Sequence, residues 1–162
     1  MAKDADHCLL RRTSFIVEDV EATAGFYQQI FGWERFYDHE TPVDRRFPPC
    51  APDQTMGKII ILKADDPHIG MIGFMEYQGF KPPDRRLANR ITLGLGDAIL
   101  IVEVNNIDAI YDKARKTMAN LVTEPVEWTV KSHSGQGVIR LSTFSLFDPN
   151  GIYVEVNCRL PE

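Results

Sequence analysis

The 162-residue sequence predicts an α+β fold built from two tandem βαβββ modules. Three observations lead there. Residues 13–24 (TSFIVEDVEATA) return 87 residues later as residues 100–111 (LIVEVNNIDAIY), with Val17, Asp19, Val20 and Ala22 matching Val104, Asn106, Ile107 and Ala109 without a gap. In each copy an apolar, β-branched run ends at Asp or Asn and passes directly into a helical pattern. Further strand-like runs, separated by turn residues, follow each copy. A duplication sets the order of elements before any one of them is assigned.

Each element has its own local reason. Residues 9–17 alternate loosely and are rich in β-formers, which predicts a strand. Glu18 and Asp19 supply an acidic N-terminus for a helix over Val20–Phe31, closed by Gly32. Val20, Ala24, Tyr27 and Phe31 recur at intervals of three and four and give that helix a buried stripe. Residues 33–39 read as a second strand. Residues 41–56 hold four prolines among polar residues and predict a long loop. Residues 58–63 (KIIILK) and 70–77 (GMIGFMEY) are two more strands, separated by a turn at 64–68, and residues 79–89 form the joint. The second half repeats the order: a strand at 98–104, a helix at 107–118 capped by Asn106, and a strand at 122–130. A loop at 131–137 (KSHSGQG) leads to strands at Val138–Phe147 and 153–158, joined by the Asp148-Pro149-Asn150-Gly151 turn. The expected organisation is one domain, made of module 1 (about 7–78), a linker (about 79–97) and module 2 (about 98–160).

Composition bounds the function. With 44% hydrophobic and 25% charged residues the chain can build a sizeable core. The net charge of −5 and the scattered basic residues argue against nucleic acid or an anionic membrane as partner. The first residues (MAKDADHCLLRR) lack the apolar stretch of a signal peptide, and no run of 18 apolar residues exists. Cys8, Cys50 and Cys158 fall at unrelated spacings and read as reduced thiols. The expectation is a soluble cytoplasmic protein.

The strand–Asp–helix element at 15–33 (FIVEDVEATAGFYQQIFGW), its echo at 99–114 and the terminal hairpin at 147–156 (FDPNGIYVEV) resemble the vicinal oxygen chelate superfamily. That superfamily includes glyoxalase I, bleomycin resistance proteins and extradiol dioxygenases. The Phe26-Tyr27 pair before Gly32 and the run from Asp148 to Glu155 carry most of the resemblance. It implies paired βαβββ modules whose strands curl as a mixed sheet around a cleft, usually in a homodimer. It does not fix the reaction, because the fold hosts lyases, isomerases, dioxygenases and pure binders.

Catalytic members hold a divalent metal with four side chains, one from the first and one from the last strand of each module. By the resemblance these positions fall on Arg12, Gly73, Ile99 and Glu155. Only Glu155 is an oxygen donor, and Arg12 is a permanent cation. Glu76 is the sole carboxylate on its strand, but three residues from Gly73 it should face the other way. No cofactor is therefore expected; if a divalent metal does bind, Glu155 and Glu76 are its candidate ligands. His7 precedes the first strand and would serve only in a different register. His39 and His68 fall in predicted turns. His133 reads as an exposed loop residue, with a pocket-edge acid/base role as the alternative.

Period-two alternation then selects one face. It carries Arg12, Ser14, Ile16, Met71, Gly73, Met75, Ile99, Ile101, Glu103, Tyr153, Glu155 and Asn157, against an apolar set that packs under the helices. The expected ligand is a small, partly hydrophobic organic molecule held by Arg12, Ser14, Met71, Met75, Ile99, Ile101, Tyr153 and Glu155. Catalysis would use Glu155 as base and Arg12 as anion stabiliser. Two alternatives remain at this point: a metal-dependent lyase, isomerase or dioxygenase, and a non-catalytic binding or resistance protein.

Overall fold

The structure, a computed structural model, describes residues 9–66, 68–86 and 90–161. Its elements are β1 (Arg12–Ile16), α1 (Val20–Phe31), β2 (Glu34–Pro42), β3 (Met56–Lys63) and β4 (Met71–Tyr77), then β5 (Ile99–Glu103), α2 (Ile107–Ala114), β6 (Asn120–Lys131), β7 (Val138–Phe147) and β8 (Tyr153–Arg159). The βαβββ order thus occurs twice. The repeat is exact at the helix starts: Asp19 caps α1 by accepting from the Ala22 N–H at 2.8 Å, and Asn106 caps α2 by accepting from the Ala109 N–H at 3.0 Å. Each cap satisfies one of the amides that a helix start leaves without a partner. Gly32 closes α1 in the left-handed conformation (φ 74°), with its N–H donating to the Gln28 carbonyl.

The chain separates into two compact units, Met1–Gln28 with Gly32–Pro83, and Gln29–Phe31 with Asp84–Glu162. The first contains a mixed four-stranded sheet in the order β1-β4-β3-β2, with β1 and β4 parallel. Ile60, Leu62, Ile72 and Phe74 are buried on one side of it. Tyr27 of α1 lies against Phe74 at 5.1 Å between ring centroids, which identifies that side as the helix-covered one. Arg35 donates to Glu21 of α1 and to Asp38, and Lys58 pairs with Asp38, so charges tie the helix to β2 and β3. The Lys58 hydrogen bond, then that of Arg35, holds the Asp38 carboxyl below its usual range.

The second unit has the same plan, β5-β8-β7-β6, with β5 and β8 parallel. Phe144, Leu146, Val154 and Val156 are fully buried, and Tyr111 of α2 packs edge-on to Phe144. The apolar parity expected from the sequence is therefore the helix-covered one in both sheets.

Several expected boundaries move. The first strand starts at Arg12, not residue 9, leaving Leu9 and Leu10 exposed. Strand β2 runs on to Pro42, because its ladder with β3 continues through Thr41↔Gly57 and Pro42↔Met56. Helix α2 stops at Ala114 rather than 118. There Thr117 turns its hydroxyl back onto the Ala114 carbonyl at 2.7 Å, and tighter bonds replace the helical ones.

Candidate functional site

The Asp148 turn positions the best-defined part of the open face. The Asp148 carboxylate accepts from the Asn150 and Ile152 amides, each at 2.8 Å, and Gly151 takes a positive φ of 78°. Strand β8 leaves this turn with Val154 and Val156 on the helix side, so Tyr153, Glu155 and Asn157 face the other way. Their neighbours on β5 are Ile99, Ile101 and Glu103, and on β7 Phe147, Ser145 and Thr143. Ile99 and Ile101 are 49% and 66% exposed. The face thus exposes Ile99 and Ile101, buries Phe147, Ser145 and Asn157, and carries two carboxylates, Glu103 and, between Ile101 and Ser145, the half-buried Glu155.

Glu155 is the end of a hydrogen-bonded string. The Trp128 indole N–H donates to Thr143 Oγ1 at 2.7 Å. The Thr143 hydroxyl donates to Asn157 Oδ1 at 2.5 Å, and Asn157 Nδ2 donates to Glu155 Oε1 at 3.0 Å. Beside it, Ser145 and Thr123 pair their hydroxyls at 3.3 Å, and Arg159 donates to Glu103 at 3.2 Å. Trp128, Thr143 and Asn157 were not among the expected ligand or catalytic residues, although Asn157 was placed on the face. A signal was present: counted back from the turn, Ser145 and Thr143 sit at alternate positions, with apolar Phe144 and Leu146 on the other parity.

In the first unit the face opposite the helix carries Arg12, Ser14 and Ile16 beside Met71, Gly73 and Met75. Val43, Cys50 and Ala51 pack with Met75 and Tyr77 at one end of it, so Met71 and Met75 are not the free ligand contacts expected of them. Arg12, Ser14 and Ile16 are exposed, Met75 is half-buried, and Met71 is buried. Ser14 and Ile101 are equivalent under the repeat, and they pair with Gly73 and Glu155. Gly73 therefore occupies in the first sheet the place that Glu155 takes in the second. The strands approach so closely there that a Cβ on Gly73 would lie 2.6 Å from Ser14 Oγ. Glu76 does face the other way: its carboxylate accepts from the Val20 N–H at 3.0 Å and caps α1.

His39 corrects the sequence reading. It lies on β2, paired with Ile59, and not in a turn, because the β2–β3 ladder extends past it. Its ring meets Tyr37 edge-on at 4.7 Å. His68 stays in a turn, where its N–H donates to Asp66 at 2.7 Å, and His133 is exposed in the 132–137 loop. His7 and Cys8 lie outside the described residues. At the end of β4 the buried Tyr77 hydroxyl lacks a well-formed hydrogen bond; burial first, and then the Cys50 thiol, pushes its pKa up to about 12. A surface depression of about 490 Å³ bounded by Leu9, Arg11, Asp66, His68 and Ile69 shares no residue with either of these faces.

Two βαβββ sheets, each with its first and last strands paired in parallel and one face under a helix, define a recognisable class. Residues 5–156 match the Glyoxalase/Bleomycin resistance protein/Dioxygenase superfamily, and the chain belongs to it. Among solved structures, the chain is similar to a glyoxalase family protein from Bacillus cereus, with 20% identity, 98% of this chain and 100% of that one covered, and a TM-score of 0.73. It is similar to a glyoxalase/bleomycin resistance protein/dioxygenase family enzyme from Burkholderia phytofirmans, with 17% identity, 92% and 97% coverage and a TM-score of 0.52. It also resembles the trypanothione-dependent glyoxalase I of Leishmania major, with 14% identity, 93% and 86% coverage and a TM-score of 0.57. At these identities the likeness concerns the fold. No curated protein matches the chain. Among the described residues no helix is long and apolar enough to cross a membrane.

The superfamily's metal can be tested against the residues present. A guanidinium at Arg12, a hydrogen at Gly73 and a hydrocarbon at Ile99 give a cation no donor, and Glu155 Oε1 is already engaged by Asn157. This donor set does not fit a divalent ion.

Proposed function

We propose that this chain binds a small, partly hydrophobic oxygenated organic molecule without a metal, and moves a proton on it. The observation that carries the reading is Glu155, held by Asn157 among exposed Ile99 and Ile101 on an open sheet face. Such a surface suits an apolar ligand body with one polar group placed for orientation. In the catalytic form of the reading, Glu155 takes the proton from a carbon next to a carbonyl. The C–H bonding pair moves into the new C–C π bond, and charge develops on the carbonyl oxygen. The proton then returns from the Glu155 carboxyl to that carbon, and the carbonyl re-forms. Tyr153 beside Ile99 completes the ligand surface. The protein acts as a cytoplasmic homodimer, as the pairing of small open sheets favours.

Solvent deuterium exchange tests this directly. A panel of small α-hydroxy and α-keto compounds is followed by proton NMR in heavy water. Wild type exchanges the proton next to the carbonyl of at least one compound, and Glu155→Gln slows it by about 10²–10⁴-fold, the usual contribution of a general base. If no compound exchanges but ligands still shift the Ile99 and Ile101 methyl signals, catalysis fails and the pure binding reading stands. One tightly held metal ion per chain, with melting that responds to chelators, defeats the metal-free reading. Light scattering that returns a monomer at tens of micromolar defeats the dimer.

A further inference from the structure

We infer that Trp128, Thr143 and Asn157 are positioning residues that lock the direction of the hydrogen bonds reaching Glu155, so that this carboxylate is presented to ligand as an acceptor. This deepens the reading above and rests on it for the role of Glu155. The logic starts at the indole, which can donate and cannot accept. Its N–H points at Thr143 Oγ1, so that oxygen must be the acceptor of the 2.7 Å bond. Thr143 has one proton left to give, and Asn157 stands 2.5 Å away. Asn157 turns its carbonyl oxygen toward Thr143 and its NH2 toward Glu155 at 3.0 Å, the arrangement that gives the Thr143 proton an acceptor and meets the carboxylate with a donor. The orientation of an amide is otherwise ambiguous, and here the donor-only indole at one end and the acceptor-only carboxylate at the other together favour this one. Glu155 Oε1 can then only accept. No ion pair or further hydrogen bond engages Oε2 among the described residues, and the neighbouring strand offers exposed Ile101.

The consequence is a choice of ligand chemistry. The free oxygen takes a donor: an ammonium, a hydroxyl, or the acidic C–H of a carbonyl compound. Trp128 itself is 45% exposed and sits three strands from β5, too far along the string to be needed for packing Glu155. Its influence is exerted through Thr143 and Asn157.

The test uses full-length, 15N-labelled protein and needs no known substrate. Proton exchange is measured at the Trp128 indole and the Asn157 side-chain amide. Trp128→Phe keeps the ring and removes the donor; it touches neither Asn157 nor Glu155. It should speed exchange at the Asn157 amide about tenfold, the equivalent of one hydrogen bond, and split or broaden its signals as the amide samples both orientations. Thr143→Val should do the same, and Thr143→Ser should restore wild-type behaviour. Unchanged Asn157 exchange in both Trp128→Phe and Thr143→Val overturns the lock, as does a nuclear Overhauser contact from the Asn157 NH2 to the Thr143 methyl instead of Glu155. Benzylammonium serves as the ligand probe. It should shift the Ile99 and Ile101 methyl signals of wild type and bind about fivefold more weakly to Trp128→Phe. No shift in wild type, or equal affinity in the two proteins, overturns the donor-ligand assignment. The exchange readouts hold or fail without any turnover, so their outcome is separable from that of the proton-transfer reading.

Discussion

Removing the Asp148 carboxylate should loosen the whole open face of the second sheet. Asp148 is buried, and its Oδ1 accepts two backbone amides at 2.8 Å, from Asn150 and Ile152. A hydrogen bond to an ionised group contributes about 1.5–3 kcal/mol. In Asp148→Ala both amides are half-buried and can regain some water, so with each bond counted at the lower value the pair together is worth about 3 kcal/mol. For a chain of this size each kcal/mol moves the melting temperature by about 2–4 °C, which gives a loss of about 6–12 °C. Asp148→Asn keeps an uncharged acceptor and should lose about half as much. Circular dichroism melting gives the temperature, and hydrogen exchange at the Asn150 and Ile152 amides locates the change. A loss under about 3 °C in Asp148→Ala, or unchanged exchange at those two amides, would show that the turn does not depend on this side chain. The stakes extend to Glu155, because a slip of one residue in β8 would move it to the helix side.

Glu76→Ala should lose about 1 kcal/mol, as befits a helix-capping carboxylate, with Glu76→Gln recovering part; a denaturant midpoint equal to wild type would contradict the cap. Gly73→Ala should destabilise by about 1–3 kcal/mol, because the new methyl meets Ser14 Oγ at 2.6 Å. Adding Ser14→Ala should recover part of that loss in a double-mutant cycle, and strict additivity would show that the two do not meet. The Asp38 pKa is lowered in the folded state by Lys58 and then Arg35, so the unfolded chain takes up this proton first as pH falls. Its stabilisation is complete above the ordinary Asp value of about 3.9 and disappears as pH drops through the lower folded value. Denaturant midpoints of Asp38→Asn should accordingly fall less steeply over that acid window than those of wild type, and parallel curves would refute the assignment.

Helix α1 was legible to the residue, since Asp19 and Gly32 mark its ends by local chemistry that needs no partner. Which side chains share a face was legible too, because alternation in β4, β5 and β8 is anchored by caps and turns close at hand. The packing of Val43 and Ala51 with Met75 and Tyr77 was not, since it joins a long loop to a distant strand. Helix α2 was overextended: the apolar spacing continues beyond Ala114, but the Thr117 hydroxyl competes for a carbonyl that the helix would use. His39 was misplaced because the strand holding it is defined by its partner β3, not by its own composition. The Trp128–Thr143–Asn157 string was beyond reach for a related reason. Strand β6 shifts register against β7 between Leu121 and Thr123 and again between Thr123 and Val126, so spacing along β6 does not reveal which residue meets Thr143.

The parallel pairing at each sheet's edge has a consequence for how the protein is made. Arg12 pairs with Met71 and Ile99 with Tyr153, whereas the strands between them join as antiparallel neighbours close in the chain. Loop closure favours the near contacts first. On a ribosome the earliest strand of each half emerges long before its partner exists. It must wait, with Phe15 or Leu100 still uncovered, until the fourth strand has been synthesised. In each half the segment that is born first is the last to find its seat, and a stall before Met71 or Tyr153 leaves it as the exposed edge a chaperone would meet.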